Sequence, residues 1–156
     1  MNSKLDRLYQ IYIKLLSKFQ SLLLLMLRLY WGWQFFRTGR GKLMNLDNTA
    51  HFFQSLHIPL PKLNAIMAGS TECFGGLLLL LGLGSRIVTV PLIITMIVAY
   101  LTADLDKVKH IYENPDAFVT ADPFLFLLVS VIVLIFGPGA FSVDAIIKWV
   151  RGGKSQ

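Results

Sequence analysis

The chain has 156 residues, of which 54% are hydrophobic and only 15% are Asp, Glu, Lys or Arg, where soluble domains carry roughly 25% charged residues. Mean hydropathy is +0.59, and 15 basic residues against 9 acidic ones give net +6 and a pI near 9.6. That balance excludes a disordered chain, a coiled-coil rod and a secreted disulfide scaffold, and the single cysteine excludes an internal disulfide, a CxxC pair or a Cys-rich zinc site.

The charges avoid the long apolar runs and collect between them, which is the pattern of an integral membrane protein rather than a nucleic-acid binder. Crossing about 30 Å of hydrocarbon as a helix takes roughly 20 apolar residues, with about 17 as the lower limit. Ahead of the first such run, Leu5, Leu8, Tyr12, Leu15 and Phe19 recur at helical spacing among Lys4, Arg7, Lys14 and Lys18. Two arrangements satisfy residues 4–18: a basic amphipathic helix lying along an anionic leaflet, or an extension of the first span into the cytoplasm. The span itself is predicted over 19–36, broken only by Arg28. Its central arginine and the lack of a small-residue cleavage site argue for a retained helix over a signal peptide.

Gly39-Arg40-Gly41-Lys42-Leu43 then reads as a tight exit from the first helix with basic residues at the head groups. It is not a phosphate-binding loop, since the upstream glycine, the following Ser or Thr and the preceding strand are missing. Asp47-Asn48-Thr49 caps a short helix through Phe52, Phe53 and Leu56 that Pro59 and Pro61 end. A second span is predicted over 63–83, and a third, after Gly84-Ser85-Arg86, over 87–103. Between 104 and 121 the sequence predicts another short helix ending at Asn114-Pro115. The fourth span opens on Asp122-Pro123, a cap followed by a proline at the first helical position. Its apolar run to Phe136 is only about 21 Å long, so it is drawn past Pro138 to about residue 140. With no internal repeat or linker, the simplest organisation is one domain, residues 1–156: an all-α, membrane-embedded four-transmembrane-helix bundle with short amphipathic interfacial helices.

An even number of spans leaves both termini on one side. If that side is the cytoplasm, it holds Lys4, Arg7, Lys14, Lys18, Arg86, Lys148, Arg151 and Lys154 against Asp6 and Asp144. The outer loops balance six basic residues with six acidic ones. The positive-inside rule therefore favours cytoplasmic termini.

Arg28 and Glu72 fall near the centres of the first and second spans, where each charge costs roughly 2.5–3.5 kcal/mol on insertion scales. Equal depth on consecutive helices predicts an intramembrane pair, with Gly32, Gly69, Gly75 and Gly76 as small residues that let the backbones approach. Thr95 and Ser130 lie near the centres of the other two spans and complete a candidate polar layer. Its functional reading is a site for a proton, a quinone head group or a small polar ligand. Its structural reading is an ion pair, with hydroxyls bonding back to their own helices. No histidine lies in a span, so haem held by two transmembrane histidines is excluded. His51, His57 and His110, with Met44, are weak candidates for a surface metal site, and solvated loop histidines are far commoner. Cys73, beside Glu72, reads as a small packing residue, because burial in lipid keeps a thiol inert.

Leu27-Arg28-Leu29 with Gly32, Thr38-Gly39-Arg40-Gly41-Lys42, Phe52-Phe53-Gln54-Ser55-Leu56, Ile58-Pro59, Glu72-Cys73-Phe74-Gly75-Gly76, Gly82-Leu83-Gly84-Ser85-Arg86 and Met96 occur in this order. Together they resemble the DoxX family of small four-helix bacterial membrane proteins, over about residues 22–144. The resemblance implies a multi-pass protein of the bacterial inner membrane, associated with redox or stress-related complexes. One branch resembles the small subunit of a thiosulfate:quinone oxidoreductase; another accompanies the maturation of small secreted copper-binding peptides. The ending from Phe136 to Asp144 resembles the latter branch. The family supplies no well-established catalytic residues, and this chain has no self-contained catalytic or cofactor motif. The expected role is a non-catalytic membrane subunit supporting a redox or metal-peptide maturation complex, with a membrane or periplasmic protein, and a further copy of itself, as candidate partners. The alternatives are a quinone-linked oxidoreductase subunit, with electrons supplied by a partner, and a small oligomeric transporter.

Overall fold

The structure, a computed structural model, describes residues 3–152. Lys154, and the side chains of Lys4, Leu5 and Lys14, lie outside the described residues. All secondary structure among the described residues is helical: α1 (Ser3–Met44), α2 (Leu46–Ser55), α3 (Pro61–Leu81), α4 (Ser85–Thr102), α5 (Leu105–Lys109), α6 (Pro115–Val119), α7 (Asp122–Phe136) and α8 (Val143–Gly152).

α1 runs unbroken for 42 residues, about 63 Å at 1.5 Å per residue. No proline occurs before Pro59, so nothing removes a backbone donor or forces the helix to stop. Residues 4–18 are thus the extension of the first span rather than a separate helix. The expected exit at Gly39 does not occur either: the helix passes through Gly39 and Gly41 to Met44. α1 turns Leu24, Arg28, Gly32, Phe35 and Gly39 inward, a stripe spaced by three and four residues.

α3 starts on Pro61 and ends at Gly82, whose φ of +71° gives a left-handed cap closed by a bond from Leu83 N–H to the Leu78 carbonyl. A second left-handed glycine, Gly84, turns the chain straight into α4. Asn114 begins a helix instead of ending one: its Oδ1 accepts from Ala117 N–H at 3.1 Å and Pro115 opens α6. The segment 104–121 therefore holds two short helices.

α7 stops at Phe136, four residues earlier than predicted, because Gly137 adopts φ +78° and Pro138 cannot extend a helix. Its 15 residues measure about 22 Å, short of the roughly 30 Å hydrocarbon core. α1, α3 and α4 are the described helices long and apolar enough to cross a membrane. α7 nevertheless packs along α4, and the core is shared: Phe35 of α1, Leu79 of α3, Leu92 and Met96 of α4, Val129 and Val133 of α7. Phe126 of α7 meets Phe35 and Trp31 edge-on at 4.6 and 4.8 Å. Beyond α7, Ser142 Oγ accepts from Ala145 N–H and starts α8, an amphipathic helix with Ile146, Trp149 and Val150 exposed.

Candidate functional site

Glycines set how α1 and α3 meet. A Cβ built on Gly32 would lie 2.8 Å from Leu80 N and 3.0 Å from Gly76 O, and one on Gly39 would lie 2.6 Å from Gly69 O. One on Gly76 would lie 2.5 Å from Phe36 N. The two backbones therefore touch along an antiparallel seam, which in lipid is where packing energy is gained. Gly75 points the other way, onto Leu92 of α4.

This register separates Arg28 from Glu72. Arg28 falls beside Gly82, ten residues beyond Glu72 on α3, about 15 Å along the axis. The predicted intramembrane pair is not made, because equal depth counted within each apolar run does not survive the real packing offset. Arg28 is fully buried, and its Nη2 donates to the Phe141 carbonyl at 2.5 Å. Its Nε and Nη1 have no hydrogen-bond partner. Asp144 is close enough to act on Arg28 electrostatically, without a salt bridge between them. Asp144 also accepts from Gly84 N–H at 2.8 Å and Ser85 N–H at 3.2 Å, capping the N-terminus of α4. Arg28 thus belongs to a latch joining α1, the α3–α4 turn and the start of α8.

Glu72 pairs instead with Lys42, Nζ to Oε1 at 2.5 Å, the carboxylate buried and the lysine about one-third exposed. Its other oxygen, Oε2, is buried without a partner. The pair lies in the wall of a half-open cavity of about 620 Å³ between α2, α3, α4 and the last turns of α1. Apolar walls come from Phe52, Phe53, Met67, Ile94 and Val98, and polar groups from Asn64 and Thr95. Thr95 donates back to the Pro91 carbonyl at 2.9 Å and lines the cavity. Ser130 donates back to Phe126 O at 2.8 Å and is buried in the bundle, off the cavity. The expected layer of four polar groups is therefore split: Glu72 and Thr95 share the cavity, Arg28 and Ser130 do not.

Lys42 is the residue that sequence reasoning missed. It was assigned to the head groups by the supposed helix exit at Gly39. The signal available was Gly32 and Gly39, seven residues apart on one helical face, which carries the helix on to Lys42. His51, His57 and His110 are exposed, and the described residues hold no group of three or more His, Cys, Asp or Glu side chains placed to share a metal ion. His110 Nδ1 sits 2.9 Å from the Asp106 carbonyl, and His57 has a left-handed φ of 59° in the turn after α2.

Three spanning-length apolar helices, with a largely apolar, half-open cavity against the Lys42–Glu72 pair, mark a helical membrane protein with a candidate site. The DoxX family model matches residues 23–105, more than half of the chain, and the protein belongs to that family. The match runs from α1 through α4 and takes in Arg28, Lys42, Glu72 and Thr95, but neither α7 nor α8. Among curated proteins, the one named "Putative oxidoreductase CatD" of Bacillus subtilis (strain 168) is 32% identical over 117 residues, covering 65% of this chain and 86% of that protein. No solved structure gives a significant match.

Proposed function

We propose that this protein is a membrane subunit of a redox-associated complex and that the α2–α3–α4 cavity receives a quinone-class molecule. The observation that carries the reading is Glu72 Oε2, a buried carboxylate oxygen with no partner, in the wall of an apolar cavity of about 620 Å³. Ligand sites are typically apolar clefts of about 300–1,000 Å³ with a few convergent polar groups. The redox association is supported by the oxidoreductase name of the Bacillus relative.

The residues fit such a group. Phe52, Phe53, Met67 and Ile94 offer flat apolar contact to a ring and its tail. Lys42 Nζ is a donor for a ring carbonyl, and Glu72 is an acceptor for a ring hydroxyl and a place to hold a proton. A quinone supplies the electron and proton carrying; the chain supplies binding, orientation and a local charge. Electrons come from a partner protein. With both termini cytoplasmic in a bacterial inner membrane, the cavity opens in the outer half of the bilayer, beside the loops that a periplasmic partner would meet.

The test is equilibrium binding of decyl-ubiquinone to the protein in nanodiscs. Saturable binding, weakened at least tenfold by Ala68→Phe, which fills the cavity, and unchanged by Ser130→Ala is the expected result. Linear partition into the bilayer, identical for all three proteins, overturns the reading.

A further inference from the structure

The bundle uses one face of α1 and leaves the opposite face bare from Leu8 to Trp33. On that face Leu8, Leu15, Leu22 and Leu29 recur every seventh residue. Tyr12, Phe19, Met26 and Trp33 fill the alternate positions, four residues after each leucine. All eight are exposed, from 40% at Leu22 to 64% at Leu8. The position following each leucine continues the stripe with Tyr9, Leu16, Leu23 and Tyr30, again all exposed. This is a heptad seam, apolar at every a, d and e position over four repeats, the length at which the pattern argues for helix pairing.

Lipid accounts for the stripe inside the predicted span of 19–36, but not for Leu8, Tyr9, Tyr12, Leu15 and Leu16. A helix of about 63 Å is twice the hydrocarbon thickness. The chain's other helices stop covering α1 near Ser21, which accepts from Ala140 N–H. The described side chains from Asp6 to Gln20 are all exposed. That stretch carries Asp6, Arg7, Gln10, Lys14, Ser17 and Lys18, residues of water or head groups, every one of them off the seam. A helix that merely faced acyl chains would need no seven-residue period, and its period would not continue into the polar part.

We infer that α1 pairs in parallel with α1 of a second copy of this chain along the Leu8–Leu15–Leu22–Leu29 seam. Copies inserted the same way in one membrane present α1 in the same direction, which is the orientation that a heptad seam requires for matching layers. The charges permit it: Lys18, at a g position, meets Leu23 of the second copy at e, and the e positions from Tyr9 to Tyr30 carry no charge. Twelve apolar side chains left bare at 40–64% amount to on the order of 1,000 Å² per copy, against about 800 Å² per partner in a standard interface. The pairing does not depend on what the cavity holds.

Single cysteines in the full-length protein test it, in a Cys73→Ala background, because Cys73 is the only native thiol. Leu8→Cys and Leu15→Cys sit on the seam, while Gln10→Cys and Ser17→Cys sit at f positions on the far side. Mild oxidation in membranes is expected to give a covalent species of twice the 17.6 kDa chain mass from the seam cysteines, at least fivefold more than from the f cysteines. Equal yields on both faces, no seam cross-link, or seam adducts only at other masses overturn the inference. As a second readout, Leu8→Glu with Leu15→Glu is expected to shift the protein in nanodiscs from dimer to monomer while the bundle's melting temperature holds. A dimer that survives this double change also overturns it.

Discussion

Gly39 and Gly41 stand two residues apart in one helix, yet changing each to alanine is expected to move stability in opposite directions. Both substitutions gain helix propensity, about 0.5–1 kcal/mol for Gly to Ala in a helix interior. At Gly41 nothing lies within 4 Å of the new Cβ, so that gain stands alone. At Gly39 the Cβ would sit 2.6 Å from the Gly69 carbonyl oxygen and 2.8 Å from Cys73 Cα, with Cys73 N nearer still. These are backbone atoms of α3 that no rotamer change removes, so the helices must part by the better part of an ångström. Overpacking of this kind costs about 1–3 kcal/mol. Separation also loosens Gly32 against Leu80 and Gly76, the rest of the same contact. The propensity gain is common to both, so the two variants should differ by the overpacking cost alone, about 1–3 kcal/mol, roughly fivefold to 150-fold in the ratio of folded to unfolded protein. Thermal unfolding in detergent, read by near-ultraviolet circular dichroism, measures this. If Gly39→Ala melts at or above Gly41→Ala, the glycine seam does not hold α1 to α3.

Three further outcomes follow from the two buried charges. Lys42→Met leaves Glu72 alone in the interior and should cost toward the lower end of about 3–5 kcal/mol, since the lysine is one-third exposed. Adding Glu72→Leu should restore much of the loss, whereas Arg28→Met with Glu72→Leu should be additive within about 0.5 kcal/mol; double-mutant cycles on melting curves separate the two cases. Gly82→Ala should cost about 2–4 kcal/mol, because the residue sits at φ +71° and its Cβ would displace the Arg28 guanidinium and crowd Ser142; the melting temperature in detergent reads this out. Asp144→Ala should cost about 1–2 kcal/mol and specifically raise amide exchange at Gly84 and Ser85, whose N–H groups it caps. Unchanged exchange there would remove Asp144 from the latch.

The interior of the fold was legible in the sequence, and the ends of its helices were not. α3 and α4 were predicted over 63–83 and 87–103 and lie at Pro61–Leu81 and Ser85–Thr102, because Pro61, Gly82 and Gly84 are local signals whose backbone consequences are nearly obligatory. At its N-terminal end α1 takes one of the two readings left open, and only its far end departs from expectation, because hydropathy marks the part of a helix that sits in lipid, not the part that is helical. A polar run with no proline continues the helix at no great cost, as residues 4–18 and 37–44 do. Asn114-Pro115 was ambiguous in principle. Proline disfavours a helix before it and favours one after it, and only the bond from Ala117 N–H to the Asn114 side chain decides between them.

The partner of Glu72 was illegible for a deeper reason. Depth counted from the ends of an apolar run assumes that each helix is centred on the same plane. α1 and α3 are instead registered by their glycines, Gly32 against Gly76 and Gly39 against Gly69. That contact is fixed by backbone approach at fractions of an ångström, whereas hydrophobic mismatch costs only fractions of a kcal/mol per Å. Close packing therefore sets the offset, and the charges take whatever partners the offset brings. At one end Arg28 receives a carbonyl and, although its Nε and Nη1 stay unpaired, is fully buried against the Gly82 turn away from the cavity, which makes it a structural latch. At the other, Glu72 receives a single lysine and keeps a buried oxygen unpaired in a side chain that lines the cavity. A charge whose every neighbour is the chain itself has no room for a ligand. A charge half-satisfied in the wall of a cavity does, and this asymmetry directs the search for chemistry to the Glu72 end of the bundle.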